Sequence, residues 1–353
     1  MHLYLHIPFC ERKCFYCAFT SLRADESAKK AYFDALLLDL RAHFKALCVK
    51  PKSIKTLFIG GGTPSVVDSA LYAPLFDFIT PFLKDTAELT SEANPHSSGF
   101  EWLKAMREFG INRISFGVQS FNAQKLAFLG RIHSPKDIFK SVENANLAGF
   151  DNVNVDMIYD TKLDDKKMLD FELANLANLR DFGLSHISAY HLSIEPKTAF
   201  ARHLNFKKNA PNLMRHFVRG IENLGFSQYE VSNFGRICQH NLAYWQGANY
   251  LGCGFGAVSF YDNERFYTHK SLKSYIKEPN FRHIERLSEK ELLLEHLFLG
   301  FRSLVGVDEC KLNPAQQGKA QILVQNKKLI YKDKRFFNPN FMLSDELALF
   351  LSE

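Results

Sequence analysis

The sequence predicts an α/β fold built on a parallel sheet, because six short β-like runs alternate with amphipathic helical stretches between residues 2 and 224. Two further observations agree. Each polar motif falls at the C-terminal end of a β-like run or just past it, where α/β folds assemble their sites. A length of 353 residues also leaves room for one barrel-sized unit and a smaller one. Crossovers between parallel strands are right-handed, so the repeats form either an open doubly wound sheet or a curved partial barrel of the (β/α)6, TIM-like kind.

The β-like runs cover 2–7, 56–60, 88–94, 113–118, 153–159 and 186–192, the first with the apolar alternation Leu3, Leu5, Ile7. Amphipathic helical segments lie between them at 28–48, 69–83, 99–109, 135–148 and 165–181, with another at 211–224. The glycine-rich run 252–256 reads as a loop closing the open edge of the barrel. Beyond residue 285 a helical pattern at 292–304 and short β-like segments at 329–331 and 336–337 suggest a small, mostly helical, winged-helix-like C-terminal domain. The chain thus divides at 1–225, 226–284 and 285–353. A wing-like fold does not by itself imply DNA binding.

Composition bounds the class. Hydrophobic residues make up 46% and charged residues 23%, as in a globular soluble protein. No run approaches the roughly 18 apolar residues of a membrane helix, and the N-terminus enters a strand pattern at once, which leaves no targeting segment. The formal charge of +6 is mild, and pairs such as Lys207-Lys208 and Lys327-Lys328 are dispersed, so no nucleic-acid partner is expected. Seven cysteines, an odd number without a signal peptide, point to a reducing compartment, the cytoplasm.

Three of them carry the chemistry. Cys10-Glu-Arg-Lys-Cys14-Phe-Tyr-Cys17 offers three thiolates on one short loop and no fourth, so an iron-sulfur cube held there keeps one iron open to a small chelating ligand. A structural zinc site wants four ligands, and the nearest spare one, His6, lies upstream in the strand. The other cysteines, Cys48, Cys238, Cys253 and Cys310, read as small scattered packing residues. The second motif, Gly60-Gly61-Gly62-Thr63-Pro64, removes side chains so that a ligand can reach the backbone, or is simply a tight turn; it lacks the GK[ST] ending of a phosphate loop. Glu92 and Gln119 end the third and fourth β-like runs. Asp156 sits inside an apolar run and needs a partner, for which Arg131 is the candidate, as a structural ion pair or as part of a site. Tyr4 and Tyr16 flank the cysteine loop.

Taken together, HIPFC-ERK-C-FY-C, GGGTP, SEANP, ISFGVQSF, 153–159, YEVSNF at 229–234 and 286–308 resemble one branch of the radical S-adenosylmethionine (SAM) superfamily. That branch holds the oxygen-independent coproporphyrinogen III oxidases and the haem chaperones called HemW. The resemblance covers nearly the whole chain and implies the partial barrel, a [4Fe-4S] cluster on Cys10, Cys14 and Cys17, and SAM contacts at Tyr4, Tyr16, Gly61, Gly62, Thr63, Glu92, Gln119, Arg131 and Asp156. In the oxidases the last few of these serve a second SAM. The oxidases also carry a further cysteine where this chain has Phe19, and a long N-terminal extension. His240-Asn-Leu-Ala-Tyr244-Trp245 matches the HNxxYW motif linked with haem binding in the chaperones. His240 is then a haem ligand, although a histidine among aromatics is also commonly a hydrogen-bonded core residue. The chain departs from its relatives at Val258, where many have histidine. The resemblance implies a haem chaperone that passes haem to apo-haemoproteins such as respiratory enzymes, with dimerisation and an electron donor of unspecified identity as further partners. The alternative it leaves is the oxidase itself, and after that a radical SAM enzyme acting on tRNA, for which no RNA-binding module is recognisable.

Overall fold

A computed structural model describes residues 1–352. The elements run β1 (His2–Ile7), α1 (Glu26–Ala46), β2 (Ile54–Gly61), α2 (Ala73–Ile79), β3 (Leu83–Ala93), α3 (Phe100–Glu108), β4 (Arg113–Gln119), α4 (Ala123–Leu129), α5 (Pro135–Leu147), β5 (Val153–Tyr159), α6 (Lys166–Asp181), β6 (Leu184–His191) and α7 (Pro211–Asn223). There follow β7 (Asn233–Gly235), α8 (Gln239–Trp245), β8 (Tyr250–Cys253), β9 (Val258–Tyr261), β10 (Glu264–Tyr267), α9 (Leu272–Lys277) and β11 (His283–Arg286). The C-terminal region holds α10 (Glu289–Phe301), β12 (Val307–Asp308), α11 (Pro314–Gln325), β13 (Ile330–Lys332), β14 (Arg335–Phe337) and α12 (Ser344–Ser352).

Strands β1 to β11 form one sheet in the order β11-β10-β9-β8-β1-β2-β3-β4-β5-β6-β7, parallel from β8 through β6. Side-chain parity decides between the two architectures left open. Leu3, Leu5, Ile7, Leu57, Ile59, Leu89, Ile114, Phe116, Val118, Val155 and Ile187 share one apolar core with Leu36, Leu40, Leu103, Ile138, Leu176 and Ile221 from the crossover helices. The alternate positions are polar: His2, His6, Thr56, Glu88, Glu92, Arg113, Ser115, Asn154, Asp156, His186 and Ser188. A doubly wound sheet needs helices, hence apolar side chains, on both faces. Here only one face has them, so the sheet curls around a polar interior as a partial barrel. It does not close, because β7 and β11 are its edges.

The glycine-rich run differs from expectation. Gly252 and Cys253 lie in β8, which pairs with β1 rather than forming a loop, and a Cβ at Gly252 would stand 2.2 Å from Val258 O. Glycine there is what lets β8 and β9 meet. In the C-terminal region, α10 starts at Glu289 and not at 292 because Ser288 and Glu291 form a capping box. Leu297, Phe301, Val307, Phe336, Leu347 and Leu351 make a separate small core. That region joins the barrel by backbone hydrogen bonds from Val231 N to Arg302 O (2.9 Å) and from Leu304 N to Tyr229 O (2.8 Å). No helix among the described residues is long and apolar enough to cross a membrane.

One buried ion cluster clamps the mouth of the barrel from outside. Lys125 on α4 is fully buried, with Nζ 2.6 Å from Asp164 and 3.6 Å from Glu172 on α6; Glu172 also accepts the N–H of Phe121 at 2.8 Å. Removing one member leaves buried charge uncompensated, which costs about 3 to 5 kcal/mol. Lys125→Met is therefore expected to lower unfolding free energy by that amount in urea titration. An unchanged midpoint would contradict the clamp.

Candidate functional site

The cysteine loop leaves the C-terminal end of β1 and is pinned at its base by Cys10 N to Leu22 O (3.0 Å) and Leu22 N to Pro8 O (2.8 Å). Its middle is pinned by Phe15 N to Leu129 O (3.1 Å) and Cys17 N to Cys14 O (3.2 Å). All three thiols are half-buried and free. Burial pushes the Cys10 and Cys17 thiols up from their ordinary range.

Arg131, just past α4, is what ties this loop to the sheet. Its Nη1 donates to Cys14 Sγ at 3.3 Å, and its Nη2 donates to Asn94 Oδ1 at 2.5 Å and to Gly117 O at 2.6 Å. Asn94 in turn donates from Nδ2 to Thr63 Oγ1 at 3.2 Å, which lies 3.5 Å from Cys10 Sγ. An unbroken polar arc thus joins two of the three sulfurs. The expected ion pair between Arg131 and Asp156 is not formed. Asp156 accepts instead from Asn154 Nδ2 at 2.8 Å and Ser115 Oγ at 3.4 Å, and its charged neighbour is Arg113. The geometry is simple: Arg131 reaches over the strand ends, whereas Asp156 lies one layer down in the barrel.

The glycine strip seals the loop against the sheet. Gly62 N donates to Ile7 O and Thr63 N to Phe9 O, both at 2.8 Å, and a Cβ at Gly62 would meet those oxygens at 2.8 and 2.7 Å. Gly61 has φ +112°, and a Cβ there would strike the His6 ring at 2.4 Å. Its N–H donates to Glu92 Oε2 at 3.0 Å. Burial, reinforced by the nearby Asp156 carboxylate, pushes Glu92 up to about 7. Glu92 is therefore poised to take a proton, an ammonium or a hydroxyl donor. Gln119 ends β4 with φ +68°, a left-handed conformation that costs a non-glycine residue about 1 kcal/mol or more and is typical of functional positions. Tyr16 packs with Phe15 beside Leu129 and Phe200.

Tyr4 belongs to an aromatic column inside the barrel. The rings of His6, Tyr4, Phe58, His240 and Tyr244 follow one another at centroid distances of 5.9, 6.3, 5.2 and 4.9 Å. At the top, Tyr4 Oη donates to His6 Nδ1 (3.0 Å), while His6 Nε2 donates to Thr20 O of the cysteine loop (2.8 Å). At the bottom, α8 plugs the floor. His240 is buried, with Nδ1 2.6 Å from Thr56 Oγ1, Nε2 2.9 Å from Tyr244 Oη, and its N–H donating to Glu88 at 3.1 Å. Burial lowers its imidazole to about 3, so the ring is neutral. Both ring nitrogens of His240 are therefore engaged, one by Thr56 and the other by Tyr244. The floor also lies far from the cysteines: Thr56 precedes Gly61 by five residues of β2, about 15 Å along a strand. Asn94 is a site residue that sequence reasoning missed, and His6, considered there only as a zinc ligand, joins Tyr4 to Thr20 instead. Asn94 stood within the SEANP motif, next to Pro95 at the end of a strand, and that position was the available signal.

Residues 4–171 match the model of the radical SAM superfamily. The chain is 34% identical to the haem chaperone HemW of Bacillus subtilis over 324 residues, covering 87% of this chain and 84% of that protein. It is 36% identical to HemW of Escherichia coli over 77% of this chain and 74% of that one. The chain belongs to the HemW family of radical SAM proteins. Among solved structures, coproporphyrinogen III oxidase (HemN) of Escherichia coli superposes with a TM-score of 0.80 at 20% identity, covering 99% of this chain and 89% of that one, which shows the shared fold.

The residues fit the cofactors of a radical SAM protein. Among the described residues, only Asp39, His43 and Cys253 bring three metal-ligating atoms within 4.8 Å of one another. The three loop thiols are not gathered within that distance. Asp39 is itself held by Arg282 (2.5 Å) and Tyr275 (2.8 Å). Cys10, Cys14 and Cys17 would hold the cluster, and the glycine strip and Glu92 would contact SAM. The soft sulfurs, a cradle that no Cβ could share and a guanidinium against Cys14 are the features that fit.

Arg131→Met keeps the bulk and removes the fork, so anaerobically reconstituted protein should retain less than half the iron per chain of the wild type; equal iron would show that the arc is dispensable. Glu92 supplies a second test. A carboxyl raised in the folded state binds a proton that the unfolded chain has lost, so its contribution is full below about pH 4.5 and disappears as pH rises to about 7, worth about 3 kcal/mol. Urea titrations at pH 5 and pH 7.5 should show a smaller loss for Glu92→Gln than for the wild type, and an identical loss would refute the assignment.

Proposed function

We propose that this protein is a cytoplasmic haem chaperone that carries a [4Fe-4S] cluster with SAM and passes haem to apo-haemoproteins such as respiratory enzymes. The observation that carries this reading is the 31–36% identity to HemW haem chaperones, which spans the barrel and the C-terminal region alike. Phe19 supports it, since it stands where the related oxidases carry an extra cysteine. When bound, the cluster supplies an open iron for SAM and the electron that cleaves its sulfonium.

The chain's own residues set the rest. Arg131 orients Cys14 and damps the charge of the thiolates. Gly61 and Gly62 bring bare backbone to the ligand, and Glu92 takes a hydroxyl or ammonium hydrogen bond. The aromatic column lines the interior from His240 at the floor to His6, which holds Thr20 of the cysteine loop. In this reading 1–225 is the SAM-binding barrel, 226–284 closes its floor and edge and carries the haem motif, and 285–353 is the small C-terminal domain.

Haem titration of the reconstituted protein should give a saturable Soret band near one haem per chain, and mixing with an apo-haemoprotein should move that band to the acceptor. No haem binding would contradict the proposal. Conversion of coproporphyrinogen III to protoporphyrinogen IX with consumption of SAM would establish the oxidase instead.

A further inference from the structure

The engaged state of His240 raises the question of which imidazole is open to haem. Among the described residues, His191, His203 and His283 are exposed and show no side-chain hydrogen bond or ion pair. His283 lies on the outer edge strand β11. His191 ends β6, and His203 lies in the segment between β6 and α7, which folds over the cysteine loop.

That segment is anchored rather than loose. Phe200 N donates to Phe15 O at 3.1 Å, Lys162 N to Phe206 O at 2.7 Å and Leu192 N to Tyr159 O at 2.8 Å. Beneath it, Phe200, Phe128 and Phe206 pack with centroids 4.9 to 5.1 Å apart, joined by Phe15 and Tyr16 of the cysteine loop. On this platform His203 stacks flat on Phe206, at 4.5 Å and 11°, which fixes the ring plane and leaves its nitrogens to solvent. Beside it Leu204 is 73% exposed, an apolar surface without a partner.

We infer that this segment is the haem seat, with His203 as axial ligand, Leu204 against the porphyrin face, and Arg202 and Lys207 facing the two propionates. The inference rests on the chaperone reading and names its site. The chemistry matches part by part: a neutral imidazole for ferric iron, an apolar face for the macrocycle and two cations for two carboxylates. The pre-stacked ring also lowers the entropy lost on ligation. Placement on Phe15 and Phe200 sets the haem beside the cysteine loop, whereas His240 lies at the opposite end of the barrel.

Hemin titration of the reconstituted full chain separates the possibilities. His203→Ala, a change at an exposed position, should weaken binding at least tenfold and replace the ligand-field signature in the ferric EPR spectrum, whereas His240→Ala should keep the wild-type spectrum. Arg202→Glu should weaken binding by a smaller factor with the spectrum intact. Wild-type affinity and spectrum in His203→Ala would overturn the inference while leaving the chaperone reading standing. Failure of the wild type to bind haem would instead defeat that reading and this site together.

Discussion

Everything at the mouth of the barrel depends on one guanidinium. Arg131 contacts the sulfur of one cysteine, the side chain of Asn94 and the backbone of Gly117 at once. A loop bearing three thiols within ten residues has many conformations, and holding its sulfurs ready for metal is costly in entropy. The arginine reduces that cost by fastening Cys14 to the ends of β3 and β4, while Thr63 and Asn94 extend the same connection to Cys10. It also places positive charge beside sulfurs that must ionise to bind iron, against the upward push of burial.

The arginine can do this because the sheet has two unlike faces. With all crossover helices on one side, the residues of alternate parity are free to be polar, and the interior becomes a hydrogen-bonded lattice. Asn154, Ser188 and His186 share one cluster, with His186 Nε2 2.7 Å from Tyr229 Oη. An aromatic column then links this lattice from floor to mouth. The HNxxYW motif and the cysteine loop lie at opposite ends, joined by ring contacts through Phe58, Tyr4 and His6. The motif is in this structure a floor plug, and its histidine is a packed, neutral member of the interior.

Much of this was legible in the residues. Strands β1 and β5 fall where alternation places them, and β2, β4 and β6 differ by a residue or two at their ends. The thiols, the glycine strip and Glu92 were evident because their chemistry is rare in such spacing. What stayed hidden depends on tertiary geometry. The partner of Asp156 is decided by barrel layer, which sequence separation does not encode. Strand β8 was concealed because Gly252 reads as a loop residue, although a close backbone approach requires it there. Asn94 is an ordinary strand-end residue until Arg131 and Thr63 are brought to its two sides. His240 illustrates the converse: a motif in its expected place, with its imidazole committed to Thr56 and Tyr244.

The central claim is that the loop holds a cluster with one iron left for SAM. Pulsed EPR on the anaerobically reduced protein, with SAM isotopically labelled at its amino nitrogen, tests it most directly. The account predicts a cluster signal that shifts on adding SAM and a hyperfine coupling between the label and one iron. A protein with Cys10, Cys14 and Cys17 intact that gives no cluster signal, or a signal indifferent to SAM, would contradict it.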